Sequence, residues 1–200
     1  MKIILGGPAQ SGKSCLRAGL KEAIKKIAGA PYPYFITGCP DGEGAWFTEA
    51  AANDAALARS LKDAYKGAFT PEFARRIAAS VTNCQLPLTF VDIGGKVTPE
   101  NRIICAPATH IVLLAGNCPK TGTPWSARLD EWRAFAAEMG LTVMAEIFSD
   151  YHGTEDTVQG VGTDGVFRAS VHFLDRTVQP QETAARAAVK ALADFIVGQV

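Results

Sequence analysis

The chain has 200 residues, with 20 lysines and arginines balancing 20 aspartates and glutamates, and 48% of its residues are hydrophobic. That is the size of one α/β domain with a substantial core, expected to span residues 1–200 as a single unit. The balanced charge gives no argument for nucleic acid or an anionic membrane as partner. The longest apolar runs fall well short of a membrane span, and the N-terminus lacks a signal-peptide pattern, so a soluble cytoplasmic protein is expected.

The first element is Lys2 to Leu5, short, apolar and β-branched, the pattern of a buried parallel strand. It runs directly into Gly7-Pro8-Ala9-Gln10-Ser11-Gly12-Lys13-Ser14, which satisfies G-x-x-x-x-G-K-[ST] in full. Backbone N–H groups of such a loop form a nest for phosphate oxygens, reinforced by the dipole of the helix that follows. Gly7, Ala9, Gln10, Ser11, Gly12, Lys13, Ser14 and Cys15 are therefore the candidate nucleotide-binding residues. Lys13 would reach the β- and γ-phosphates, and Ser14 would ligate Mg²⁺. After Ser14, the residues Leu16, Leu20, Ile24 and Ile27 recur at helical spacing, predicting a helix over 13–28.

A second strand is predicted over 33–38. It delivers Gly38-Cys39-Pro40-Asp41-Gly42-Glu43-Gly44-Ala45-Trp46-Phe47, two carboxylates among glycines beside an aromatic pair. Asp41 and Glu43 are candidates for a general base toward a phosphoryl acceptor, or for a second metal contact. A tight turn that uses Asp and Gly only for backbone geometry is the competing reading. Helices are predicted over 47–66 and 71–82, the latter carrying Arg75-Arg76 on a solvated face.

The strand predicted over 88–93 ends in Asp92 and is followed by Ile93-Gly94-Gly95. An acid at that position would hold Mg²⁺ directly or through water, and the D-x-x-G spacing resembles the switch of GTPase-like P-loop proteins, which implies a γ-phosphate-sensing N–H at Gly95. No glutamate follows Asp92, so the hydrolytic acid of many AAA-type ATPases is missing from its usual place.

Further along, a helix over 98–106 and a strand over 109–115 lead to the loop Asn117 to Trp125. Lys120 and Arg128 border that loop, which could close over a phosphate chain; Asn117 resembles a γ-phosphate-sensing residue at this strand end, and an ordinary loop-starting Asn is the competing reading. Asn117 to Lys120 is not the guanine-reading N-K-x-D, which leaves ATP as the default nucleotide. A helix over 126–139 and a strand over 141–148 bring Ser149-Asp150-Tyr151 toward a base. The last strand, 166–174, alternates with Phe167, Ala169, Val171 and Phe173 on one face and suits an antiparallel position at the sheet edge. A final helix is predicted over 182–198. The five cysteines show no C-x-x-C pair or zinc spacing, and no His-and-acid trio suggests a metal beyond Mg²⁺.

The alternation of strands and helices predicts an α/β fold, a three-layer α/β/α sandwich around a mostly parallel sheet. Taken together, Gly6-Gly7-Pro8 with Ser11 to Ser14, Pro40 to Trp46, Thr70-Pro71-Glu72-Phe73, Val91 to Gly95, Pro99-Glu100-Asn101 and Ser149-Asp150 resemble the AAA-type P-loop domain found with CRISPR-associated ring nucleases. The resemblance implies Mg·ATP binding and a regulatory or assembly role beside a ring-nuclease partner or in a homo-oligomer. A complete P-loop domain leaves no room for a fused nuclease domain, so a stand-alone or excised version is expected, without cyclic-oligonucleotide cleavage. Two other functions remain open: a kinase using Asp41 or Glu43 toward a small hydroxyl acceptor, and a non-catalytic ATP-gated scaffold.

Overall fold

The computed structural model describes residues 1–40, 67–117 and 121–200. The predicted helix 47–66 lies outside them. Seven strands form one sheet in the order β2-β3-β1-β4-β5-β7-β6. They are β1 (Lys2–Gly6), β2 (Tyr34–Thr37), β3 (Thr89–Asp92), β4 (His110–Ala115), β5 (Thr142–Asp150), β6 (Thr157–Val161) and β7 (Phe167–His172). The described helices are α1 (Lys13–Ile24), α2 (Pro71–Asn83), α3 (Pro99–Cys105), α4 (Trp125–Glu138), α5 (Pro180–Ala185) and α6 (Ala187–Val197). Among the described residues, no helix is long and apolar enough to cross a membrane.

All neighbouring strands are parallel except β6 and β7. Side chains alternate across the sheet, so Ile3 and Leu5 of β1 join Leu16, Leu20 and Leu192 in one core, while Ile4 joins Trp132 and Phe135 in the other. This double burial explains why the inner strands read as continuous apolar runs.

Helix starts follow local chemistry. Thr70-Pro71-Glu72 and Thr98-Pro99-Glu100 open α2 and α3 in the same way: Thr70 Oγ1 accepts from Phe73 N and Thr98 Oγ1 from Asn101 N, with proline at the first helical position. In contrast, α1 ends at Ile24, and the predicted extension to 28 tightens into turn bonds such as Ile27 N to Ile24 O.

The C-terminal third departs most from the sequence pattern. Strand β7 lies inside the sheet, parallel to β5, and the antiparallel edge is β6. No strand was predicted at β6 because Thr157-Val158-Gln159-Gly160-Val161 is largely exposed and carries a register shift near Gly160, so no buried face imposes a pattern. Strand β7 stops at His172, since Phe173 turns into the left-handed region at φ 40 and is partly exposed. The predicted helix 182–198 is broken at Arg186, whose backbone is extended and whose guanidinium donates to the carbonyls of His172 and Phe173. Asp156 then caps α6 from a distant loop by accepting from Ala188 N at 2.9 Å.

Candidate functional site

The loop between β1 and α1 is shaped by close backbone approaches. Gly7 has φ 139, and a Cβ there would sit 1.9 Å from the carbonyl oxygen of Leu114 in β4. Gly12, the N-cap of α1 at φ 82, packs so closely on Leu174 that a Cβ would lie 2.7 Å from that side chain. Glycine is required at both positions by space as well as by dihedral angle.

The carbonyls of the loop are held from behind. Lys13 Nζ donates to Gly7 O at 2.7 Å and Pro8 O at 2.9 Å, and Ser11 Oγ donates to Pro8 O at 2.8 Å. Helix α1 has no side-chain cap and no acid in its first turn. Among the described residues, no backbone carbonyl accepts from the N–H of Gln10, Ser11 or Gly12. A helix start with such donors, in a loop whose Gly7 and Pro8 carbonyls are already occupied, fits an anion.

These groups open onto a cavity of about 500 Å³ at the carboxyl ends of the strands. Its walls include Ala9 to Cys15 on one side, Thr37, Cys39 and Asp92 to Gly95 on another, and Tyr151 with Leu174 to Arg176 on a third. Register explains the convergence, because Asp92 pairs with Leu5 of β1 and Thr37 of β2. Arg17, one helical turn after Lys13, places Nη1 3.5 Å from Asp92 Oδ2 and lies over the Phe35 ring. Burial is the main cause that depresses the Lys13 pKa to about 8, with Asp92 and Cys39 opposing the shift and Arg128 adding to it. The ammonium is enclosed even though the residue as a whole keeps some exposure. Burial likewise raises the Cys15 thiol.

The cavity thus gathers Ala9, Gln10, Ser11, Gly12, Lys13, Ser14, Cys15, Asp92 and Gly95, with Gly7 directly beneath. Asp41, Glu43 and Lys120 lie outside the described residues. Arg128 is absent from the cavity wall; its guanidinium donates instead to Ala9 O at 2.6 Å and to Gly116 O. Asn117 spends its side-chain oxygen on Trp125 N at 2.9 Å, where α4 begins.

Several wall residues escaped the sequence reading. The predicted strand 166–174 ends at His172 instead, so Leu174, Asp175 and Arg176 lie just beyond its carboxyl end, where the ligand-binding loops of such sheets gather. Asp175 accepts from Thr177 N, Thr177 Oγ1 and Tyr151 OH. Buried Asn101 was quoted only within a motif, yet its Nδ2 donates to Gly94 O at 3.1 Å and Lys96 O at 2.6 Å, holding the turn after Asp92. Gly95 O in turn accepts from Ala9 N at 3.1 Å, joining that turn to the glycine-rich loop.

A mostly parallel sheet, a glycine-rich loop feeding a helix, and an acid at the tip of the adjacent strand define the P-loop NTPase fold. No protein-family profile matches this sequence, and no curated protein matches it. Among solved structures, the chain is similar to the septum site-determining protein MinD from Pyrococcus horikoshii OT3 in complex with Mg-ADP. That likeness has a TM-score of 0.56 at 11% identity and covers 99% of this chain and 93% of the other. It is also similar to a putative plasmid partition protein from Borrelia burgdorferi B31 bound to AMPPNP, with a TM-score of 0.60 at 7% identity, covering 100% of this chain and 98% of the other. At such identities the likeness is one of fold.

Proposed function

We propose that this protein binds Mg·ATP in the cavity above β1 and β3 and works as a nucleotide-dependent switch. The observation that carries the reading is the uncapped start of α1 in a loop whose Gly7 and Pro8 carbonyls are already hydrogen-bonded by Lys13 and Ser11. The nucleotide-bound states of the two fold neighbours support it. The α- and β-phosphates would rest on the N–H groups of residues 10–14, with Lys13 turning from the Gly7 and Pro8 carbonyls to the β- and γ-phosphates.

Ser14 and Asp92 suit Mg²⁺, which favours one carboxylate, a hydroxyl, waters and phosphate oxygens over an all-protein cage. When bound, the ion would supply positive charge that offsets the phosphate charge.

Ile93, the residue after Asp92, is buried in the core and has no acid–base chemistry. The missing acid favours a switch over an AAA-type motor. Calorimetry with Mg·ATP tests the binding: saturable binding by the native chain that Lys13→Ala removes supports the reading, and identical heats from both proteins refute it. The regulatory role beside a ring-nuclease partner rests on the sequence resemblance. Co-purification of such a nuclease that depends on Mg·ATP would support it; the same lack of association with ATP, ADP or no nucleotide would remove it.

A further inference from the structure

We propose that Arg128 is a positioning residue of the nucleotide site: it locks the Ala9–Gln10 peptide so that the Gln10 N–H faces the anion. The proposal rests on the nucleotide-binding reading and goes beyond it, since it assigns a role to a residue outside the cavity wall.

Gln10 has φ 64, a left-handed conformation in a residue that is not glycine. Such a conformation is disfavoured for a residue with a Cβ and persists only where the surroundings over-determine it. Half a turn of the preceding peptide would return Gln10 to negative φ. The same rotation would turn the Ala9 carbonyl toward the cavity and the Gln10 N–H away, because the two point in opposite directions across a trans peptide. A carbonyl aimed at a phosphate oxygen repels it.

Arg128 Nη2 opposes that rotation, donating to Ala9 O at 2.6 Å across 119 positions of sequence. Its Nη1 donates to Gly116 O at the end of β4, so the guanidinium spans the loop and the sheet. The neighbouring peptide is held independently, by the bond from Ala9 N to Gly95 O at 3.1 Å. Lys13 also braces carbonyls here, at Gly7 and Pro8, but its ammonium must leave them to meet a phosphate. Arg128 reaches its two carbonyls from outside the cavity wall. A planar fork that reaches two carbonyls is also something a lysine cannot reproduce.

The first test is the ligand-free structure of Arg128→Ala. The expected result is a rotated Ala9–Gln10 peptide with negative φ at Gln10; an unchanged peptide overturns the proposal whether or not the protein binds nucleotide. The second is Mg·ATP affinity by calorimetry. Arg128→Ala should weaken binding about tenfold or more, the scale of a lost charge-assisted hydrogen bond. Arg128→Lys should recover only part of the loss. Adding Gln10→Gly to Arg128→Ala should restore affinity about threefold or more, because glycine tolerates positive φ. Full affinity in Arg128→Lys, or no recovery with Gln10→Gly, would mean that Arg128 acts as a charge alone and would overturn the proposal. If Arg128→Ala fails to fold, Arg128→Gln takes its place in both tests. Absence of Mg·ATP binding by the native chain would strike the nucleotide reading, while the peptide orientation would still decide the role of Arg128.

Discussion

Arg17 Nη1 lies 3.5 Å from Asp92 Oδ2, so the carboxylate assigned to Mg²⁺ already has a cation beside it. Asp92 is 7% exposed, and the Lys13 ammonium contributes a second positive charge nearby. An incoming metal ion must therefore compete with the protein's own cations. Replacing Arg17 by Met should tighten Mg²⁺ or Mn²⁺ binding to the ADP-loaded protein severalfold, and lower stability by about 1 kcal/mol, since Arg17 is partly exposed. Asp92→Asn should erase the difference in affinity between ATP with and without Mg²⁺. Titrations monitored by calorimetry and Mn²⁺ resonance read both; retention of that difference in Asp92→Asn would remove Asp92 from the metal site.

Lys13 makes binding sensitive to pH. With its pKa lowered to about 8 in the free protein, the ammonium begins to deprotonate just above neutrality. A phosphate needs the charged form, so Mg·ATP affinity should be level near pH 7 and fall as pH rises through about 8, with proton uptake on binding in that range. Calorimetry in buffers of different ionisation enthalpy measures the uptake. The effect on folding runs the other way. Below pH 8 both folded and unfolded chains hold the proton, and the cost of burying the charge is present in full. Between about 8 and 10.5 the unfolded chain binds more proton, so Lys13 contributes stability that increases with pH in that window. Lys13→Met should lose the pH dependence of folding stability.

Two glycines separate space from conformation. Gly7 and Gly29 both have positive φ, but a Cβ on Gly7 meets Leu114 O at 1.9 Å, whereas one on Gly29 has nothing within 4 Å. Gly29→Ala should cost about 1 kcal/mol, the dihedral penalty alone. Gly7→Ala should cost roughly 3 kcal/mol or more, because backbone must move in two strands. Urea denaturation measures the difference, and equal costs would contradict the close approach of the loop to β4.

Asn101 links the turn after Asp92 to helix α3. Asn101→Ala leaves Gly94 O and Lys96 O without their donor in a partly buried turn, at a cost of about 1 kcal/mol. Asn101→Asp should be worse, since a carboxylate cannot donate to either carbonyl. Because Gly95 O accepts from Ala9 N, both substitutions should also weaken nucleotide binding. Thermal melts with and without Mg·ATP separate the two effects.

Cys15 and Cys39 both border the cavity. Burial raises the Cys15 thiol, so its alkylation by iodoacetamide at neutral pH should be slow and should slow further with Mg·ATP. Peptide mass spectrometry follows each site; nucleotide-independent labelling of both cysteines would argue against a ligand in this cavity.

The sequence was most legible where local chemistry and tertiary need coincide. The strand-loop-helix of residues 2–24, the Asp92 strand and the Thr-Pro-Glu helix starts all carry their own reasons in adjacent residues. It was least legible where the reason lies far away. The edge strand β6 has little burial to impress a pattern, and α6 owes its start to Asp156, 32 residues from the Ala188 N–H that it caps.

By itself, then, the sequence determined an α/β domain with a phosphate-binding loop and an acid on a neighbouring strand, because periodicity and glycine spacing encode backbone geometry directly. Only the tertiary structure decided which strand is antiparallel, that Arg17 pairs with Asp92, and that Leu174 to Arg176 wall the cavity. It also decided that Arg128 grips the Ala9 carbonyl instead of lining the site. These are contacts between residues remote in sequence. Their partners are chosen by sheet order and register, which no local pattern records.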